Sequence, residues 1–143
     1  MNPLFVVSVL AGLVAIATAL GFLLRSQQGR VRHLTGNTVI TARDLPGAAA
    51  LGSSATLLQF STEVCSPCAV TRRVLGGVAD DRGEVAHIDL DLTHRPDLAS
   101  KFNIMQTPTT FILDSSGIVR ARIGGAPKPA AIHAELDRIL AIA

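Results

Sequence analysis

The stretch Thr56-Leu-Leu-Gln-Phe-Ser-Thr-Glu-Val-Cys65-Ser-Pro-Cys68 decides the fold. Its first half, Thr56–Ser61, is a nearly continuous apolar run of strand length, the pattern of a strand covered on both faces. Just beyond it stand the only two cysteines of the chain, three positions apart. A helix is expected to start at the cysteines and run through Val70, Val74 and Leu75 to Gly76-Gly77. At such a helix start the Cys65 sulfur lies near unpaired backbone N–H groups and the positive end of the helix dipole. Both favour thiolate over thiol, and the thiolate is the attacking species. Cys68, one turn later, is close enough to close a small disulfide ring with Cys65. Pro67 between them fixes its own φ and needs no partner for an N–H in the first turn.

Working outward, Val85-Ala-His-Ile-Asp-Leu90 reads as the next strand, and Thr93–Phe102 as a helix with Pro96 in its first turn. Thr109–Leu113 and Ile118–Ile123 flank Asp114-Ser-Ser-Gly117, which predicts an antiparallel hairpin. A last helix from about Pro129 places Ile132, Leu136, Ile139 and Leu140 on one face. Upstream, Thr38-Val-Ile-Thr41 is expected to be a short first strand. Leu45–Ser54, with Pro46, Gly47, Gly52 and the alanines Ala48–Ala50, is expected to be irregular or at most a weak helix. This order predicts an α/β domain, a mixed sheet with helices on both faces.

Composition narrows the function. At 143 residues the chain holds one domain of ordinary size. A net charge of +2 with scattered arginines, no Trp and no Tyr leaves neither a basic patch nor a stacking surface, so nucleic acid is not an expected partner. A disulfide framework needs more cysteines than two. A structural metal site needs about four protein ligands. His33, His87, His94 and His133 are scattered and supply no ligand-spaced second pair, so no metal is expected. The pair instead points to thiol chemistry.

Pro3–Leu24 carries no charged residue, and as a helix it rises about 33 Å, enough to cross a hydrocarbon core of about 30 Å. A cleaved signal peptide is the rival reading, because Ala17-Thr18-Ala19 resembles a cleavage site. No Lys or Arg precedes the apolar run, however, and the run continues past that site, so an uncleaved single-pass anchor is preferred. The expected division is an anchor over 3–24, a polar juxtamembrane linker over 25–36 and a folded domain over 37–143. Arg25, Arg30 and Arg32 follow the span, which places the domain on the cytoplasmic face by the retention of positive charge. The alternative is an extracytoplasmic domain. Ala11, Ala15 and Ala19 share one helix face beside Ser8 and Gly12, a spacing that permits close approach of a membrane partner and is also common in spans without one.

From about residue 34 to its end the chain resembles a thioredoxin. The landmarks are the Cys65-Ser-Pro-Cys68 motif after a strand, Thr107-Pro108 before a strand where that family carries its cis-proline loop, and Gly124 in the closing turn. The resemblance implies a two-step exchange in which Cys65 attacks a protein disulfide and Cys68 resolves the mixed disulfide, without metal or organic cofactor. It implies that Pro67, Thr107, Pro108 and Gly124 border the substrate. Val64 stands where the family usually has a Trp, Gln59 where it buries an Asp, and His87 where it often has a Lys. An amide cannot serve as the base that the Asp supplies, so these three residues are expected to modulate the rate. His87 is also readable as a strand residue near the core, Glu63 as an exposed neighbour of the motif, Asp89 and Asp91 as the end of a strand, and Arg72 and Arg73 as a solvated helix face. Two functions remain open: an oxidoreductase acting on thiol or disulfide clients, and a non-catalytic docking module for a membrane partner. Retention of both cysteines favours the first.

Overall fold

Apolar side chains on both faces of one sheet need two coverings, and the chain supplies them with helices on each side. The structure, a computed structural model, describes residues 2–36, 38–47 and 50–142. Ala48, Ala49 and the domain-boundary residues Asn37 and Ala143, on which expectations above partly fall, lie outside the described residues. The elements are α1 (Pro3–Gln27), β1 (Val31–His33), β2 (Ala55–Ser61), α2 (Ser66–Asp81), β3 (Val85–Asp91), α3 (Pro96–Lys101), β4 (Thr109–Asp114), β5 (Val119–Gly124) and α4 (Pro129–Ile142). Sheet order is β1-β5-β4-β2-β3. β2 and β3 run parallel, and the other neighbours are antiparallel, so the sheet is mixed as expected.

β2 is the central strand and is buried along its whole length. Its alternate residues feed two cores. Leu57, with Ile112, Ala121 and Ile123, packs against Leu75 and Val78 of α2 and Ile132, Leu136 and Ile139 of α4. On the opposite face Leu58 and Phe60 meet Phe111, Leu98 and Phe102, together with Ile40 and Leu45 from the irregular segment. The rings of Phe60 and Phe111 pack edge to face with centroids 4.9 Å apart.

Four expectations about local structure are corrected. α2 does not stop at Gly76-Gly77 but continues to Asp81. Leu75 and Val78 share its buried stripe, and burying Val78 outweighs the roughly 1 kcal/mol that each interior glycine costs. Thr38–Thr41 does not form a strand: Val39 makes a single bridge to Ile118, Ile40 turns into the core, and a 3₁₀ turn follows over Ala42–Asp44. α3 is shorter than Thr93–Phe102, because Asp91 accepts hydrogen bonds from the N–H and hydroxyl of Thr93 and holds the preceding residues in a turn. The stretch expected to be a linker, residues 25–36, contains the end of α1 and the whole of β1.

α1 is long and apolar enough to cross a membrane, and none of its apolar window is buried. It begins with Asn2, whose side chain accepts from the Leu4 N–H, and carries Arg25 in its last turn. Only Gln28 separates α1 from Gly29, whose N–H donates to the Gly124 carbonyl at 2.8 Å. Gly29 has φ +74°, and a Cβ there would lie 2.5 Å from the Ala126 carbonyl oxygen, so both conformation and space require glycine. β1 then pairs with β5, with Val31 opposite Ile123. The His33 ring reaches Glu135 of α4 at 3.4 Å.

Candidate functional site

Cys65 is the N-cap of α2, half-buried, with its backbone extended (φ −106°, ψ 94°) and Pro67 in the first turn of the helix. Cys68 lies one turn inside and is only 2% exposed. The two sulfurs form a disulfide with Cα atoms 5.3 Å apart. The Cys68 N–H donates to the Cys65 carbonyl at 3.1 Å, closing the turn that brings them together. Cys65 is therefore the more accessible of the pair and sits at a helix N-terminus, where a thiolate is favoured, with Cys68 shielded behind it.

Thr107-Pro108 is a cis peptide bond immediately before β4. The sheet brings it to the motif: β2 ends at Ser61 and β4 starts at Thr109, and Phe60 pairs with Thr109. The hydroxyls of Thr62 and Thr107 lie 3.3 Å apart and link the two loops directly. Gly124 pairs with Thr109 across β4 and β5, and the Gly125 N–H donates to the Pro108 carbonyl at 2.8 Å. A Cβ at Gly124 would collide with the amide end of Gln106, so glycine leaves that side chain its place beside the Pro108 loop. Cys65, Cys68, Pro67, Thr107, Pro108 and Gly124 thus meet at one end of the sheet. Val64 is 95% exposed and Met105 84%, giving this end an apolar rim.

Gln59 lies beneath Cys68, fully buried. Its Nε2 donates to the Cys68 carbonyl at 3.0 Å. Its Oε1 lies 3.2 Å from His87 Nε2, and because an amide oxygen only accepts, that imidazole nitrogen carries the proton. Gln59 therefore stands between His87 and Cys68 and cannot itself take up a proton. Burial holds the His87 imidazole below its usual range, with Arg72 acting in the same direction and Asp89 and Asp80 opposing. Thr110, opposite Gln59 on β4, has its hydroxyl buried without a hydrogen-bond partner.

A polar chain beside the disulfide escaped the sequence reading. Asp89, expected simply to end a strand, accepts from the Ser61 hydroxyl at 2.6 Å and from Arg72 Nε at 2.6 Å. Arg72, expected to lie on a solvated face, is held by that pair against the depression lined by Ser61, Thr62, Cys65, Cys68 and Ala69. The available signal was spacing: β3 is in parallel register with β2, which sets Asp91 opposite Ser61 and Asp89 one side chain back on the same face. Glu63 is exposed, as expected, and its N–H is fixed by the Thr93 hydroxyl.

Comparison with known proteins agrees with this geometry. Residues 47–138 match the family model described as Thioredoxin. A thioredoxin of Mycolicibacterium smegmatis is 36% identical over 107 residues, covering 72% of this chain and 95% of that protein. Thioredoxin H2 of Arabidopsis thaliana is 35% identical over 72 residues, 50% of this chain, which spans about half (53%) of that relative. Among solved structures, a chloroplastic thioredoxin z superimposes with a TM-score of 0.57 at 27% identity, covering 62% of this chain and 80% of that one. Members of this family act on protein thiols and disulfides, and the Cys65–Cys68 pair supports thiol–disulfide oxidoreductase activity. The chain belongs to the thioredoxin family.

Proposed function

We propose that this protein is a membrane-anchored thiol–disulfide oxidoreductase that reduces disulfides of protein clients at the membrane surface. One observation carries the reading: an accessible Cys65 at a helix N-terminus beside the Pro108 loop, with Cys68 shielded behind it. In the reduced protein the Cys65 thiolate attacks a client disulfide, forming a mixed disulfide and releasing one client thiolate. Cys68 then gives up its proton and attacks the Cys65 sulfur. The Cys65–Cys68 bond forms, the second client thiolate leaves, and two electrons have passed to the client. Neither metal nor organic cofactor takes part. Thr107, Pro108 and Gly124 present backbone to an extended client segment, and Val64 offers it an apolar rim.

The reading takes α1 as the anchor, and Arg25, Arg30 and Arg32 after the apolar run support a domain on the cytoplasmic side. Labelling of Cys65 by an impermeant thiol reagent in intact cells would reverse that orientation. The reaction is tested on the full chain in detergent with a dithiol reductant and a disulfide-bonded protein substrate. Turnover is expected with the native chain and none with Cys65→Ser. Full turnover by Cys65→Ser would refute the assignment of Cys65 as nucleophile, and no turnover by the native chain would leave the docking reading.

A further inference from the structure

The end of the sheet that carries the redox site is also the end at which the membrane helix enters. β1 starts opposite the end of β5, since Val31 pairs with Ile123. β5 ends at Gly124, which pairs with the start of β4 at Thr109, next to Pro108. The start of β4 in turn pairs with the end of β2, from which the chain proceeds to Cys65. Entry at the opposite end would have moved the site away by a strand length, about 20 Å for six residues.

The connection is also short and tied down. Between Leu24, the last residue of the uncharged run, and Gly29 lie three helical steps and two extended ones, about 12 Å at most. Gly29 is then hydrogen-bonded to Gly124, the residue whose neighbour Gly125 bonds Pro108. The polar layer on each side of a bilayer is itself about 6 Å thick. β1 leaves no slack, because it is paired into the sheet and braced on α4 through His33 and Glu135. The exposed Val64 and Met105 rim belongs to the same end.

From this placement, which rests on reading α1 as a membrane span, we propose that the client is itself a membrane protein and presents its disulfide in a segment close to the bilayer surface. Soluble proteins whose disulfides lie far from the membrane are poor clients of the anchored chain. The short tether selects by height above the membrane as well as by sequence around the cysteine.

The test uses the full chain carrying Cys68→Ser, reduced and reconstituted in liposomes with single-span probe peptides. Each probe bears one cysteine as a mixed disulfide with thionitrobenzoate, either directly after its span or beyond a rigid helical spacer of thirty residues, about 45 Å. Attack by the Cys65 thiolate forms a Cys65–probe disulfide and releases thionitrobenzoate as its coloured thiolate. The near probe is expected to react at least ~10-fold faster than the far one. A twenty-residue Gly/Ser insertion between Gln27 and Gln28, with a root-mean-square span of about 25 Å, is expected to narrow that ratio. Equal rates for near and far probes with the uninserted chain would overturn the proposal. So would a ratio that the insertion leaves unchanged. Failure of the exchange chemistry would show separately, as no release from a soluble activated peptide in detergent, and failure of the anchor as release of the chain from liposomes by alkaline extraction; either also removes the premise of the placement.

Discussion

The regions above and below the disulfide are built on different terms. Above it, the Cys65 N-cap, the Thr107-Pro108 loop and Gly124 follow the family arrangement and meet through backbone pairing and one hydroxyl contact. Below it, the layer of Gln59 and His87 is closed by side-chain hydrogen bonds, one of them to the Cys68 carbonyl. In the proposed mechanism, attack depends on the upper region, which needs an accessible thiolate and a place to seat a client backbone. Resolution depends on the lower one, because Cys68 must lose a proton before it can attack. In the proposed mechanism the upper region supplies what attack requires, whereas Gln59 below offers an amide that cannot take the proton.

The sharpest way to break this division is to remove each cysteine. Cys65→Ser should lower turnover by at least ~10³-fold, since it removes the nucleophile. Cys68→Ser should also stop turnover yet accumulate a client adduct on Cys65, visible by mass spectrometry of non-reduced protein. Adduct on Cys68 in a Cys65→Ser chain at a similar yield would abolish the distinction between the regions.

Gln59→Asp sharpens the account of the lower region. A carboxylate there can accept the Cys68 proton, so turnover near neutral pH should rise several-fold, about 1 kcal/mol of barrier. The same change removes the donor to the Cys68 carbonyl and buries a charge, so the denaturation midpoint should fall by an amount worth about 1–3 kcal/mol. A rate unchanged at every pH would mean that proton loss from Cys68 does not limit turnover.

Val64→Asp addresses the rim. With the side chain 95% exposed, stability should change by less than about 0.5 kcal/mol. The KM for an apolar disulfide-containing peptide should rise a few-fold with kcat unchanged, and an unaltered KM would remove Val64 from the client surface.

The smallest effect concerns His87. Burial lowers its pKa in the folded protein from the usual imidazole value of about 6.5, so in the window just below that value the unfolded chain binds more protons. The stability gained by keeping the imidazole neutral is full above pH 6.5 and is lost as pH falls through that window. Nε2 carries its proton in either charge state, so the bond to Gln59 survives protonation. Denaturation midpoints of the native chain and His87→Asn, compared from pH 7.5 downward, should converge as the medium becomes acidic. A constant gap would exclude His87 as the source.

Features set by local pattern were readable from the sequence. The apolar run of β2, the hairpin around Asp114–Gly117, the periodic face of α4 and the three landmarks around Cys65, Pro108 and Gly124 each declare themselves within a few residues. The remainder depended on partners distant in the chain. β1 is three residues long and polar at two of them, so only its pairing with β5 makes it a strand. Thr38–Thr41 has strand-like residues but finds a single bridge. The two glycines in α2 look like a stop until Val78 is seen to be buried beyond them. Arg72 and Asp89 are seventeen positions apart, and only the packing of α2 on β3 brings them together beside the disulfide. That α1 joins the sheet at the end carrying the disulfide follows from strand order, which no local pattern encodes.

The central claim is an unequal pair: Cys65 attacks and Cys68 waits behind it. Pulse alkylation of the freshly reduced full chain in detergent, at mildly acidic pH with a short exposure to iodoacetamide and peptide mapping, measures that inequality directly. The account predicts modification of Cys65 at least ~10-fold ahead of Cys68, because a thiolate favoured by the helix N-terminus meets the reagent at the surface while the other thiol is 2% exposed. Equal modification of the two, or Cys68 ahead of Cys65, would contradict it.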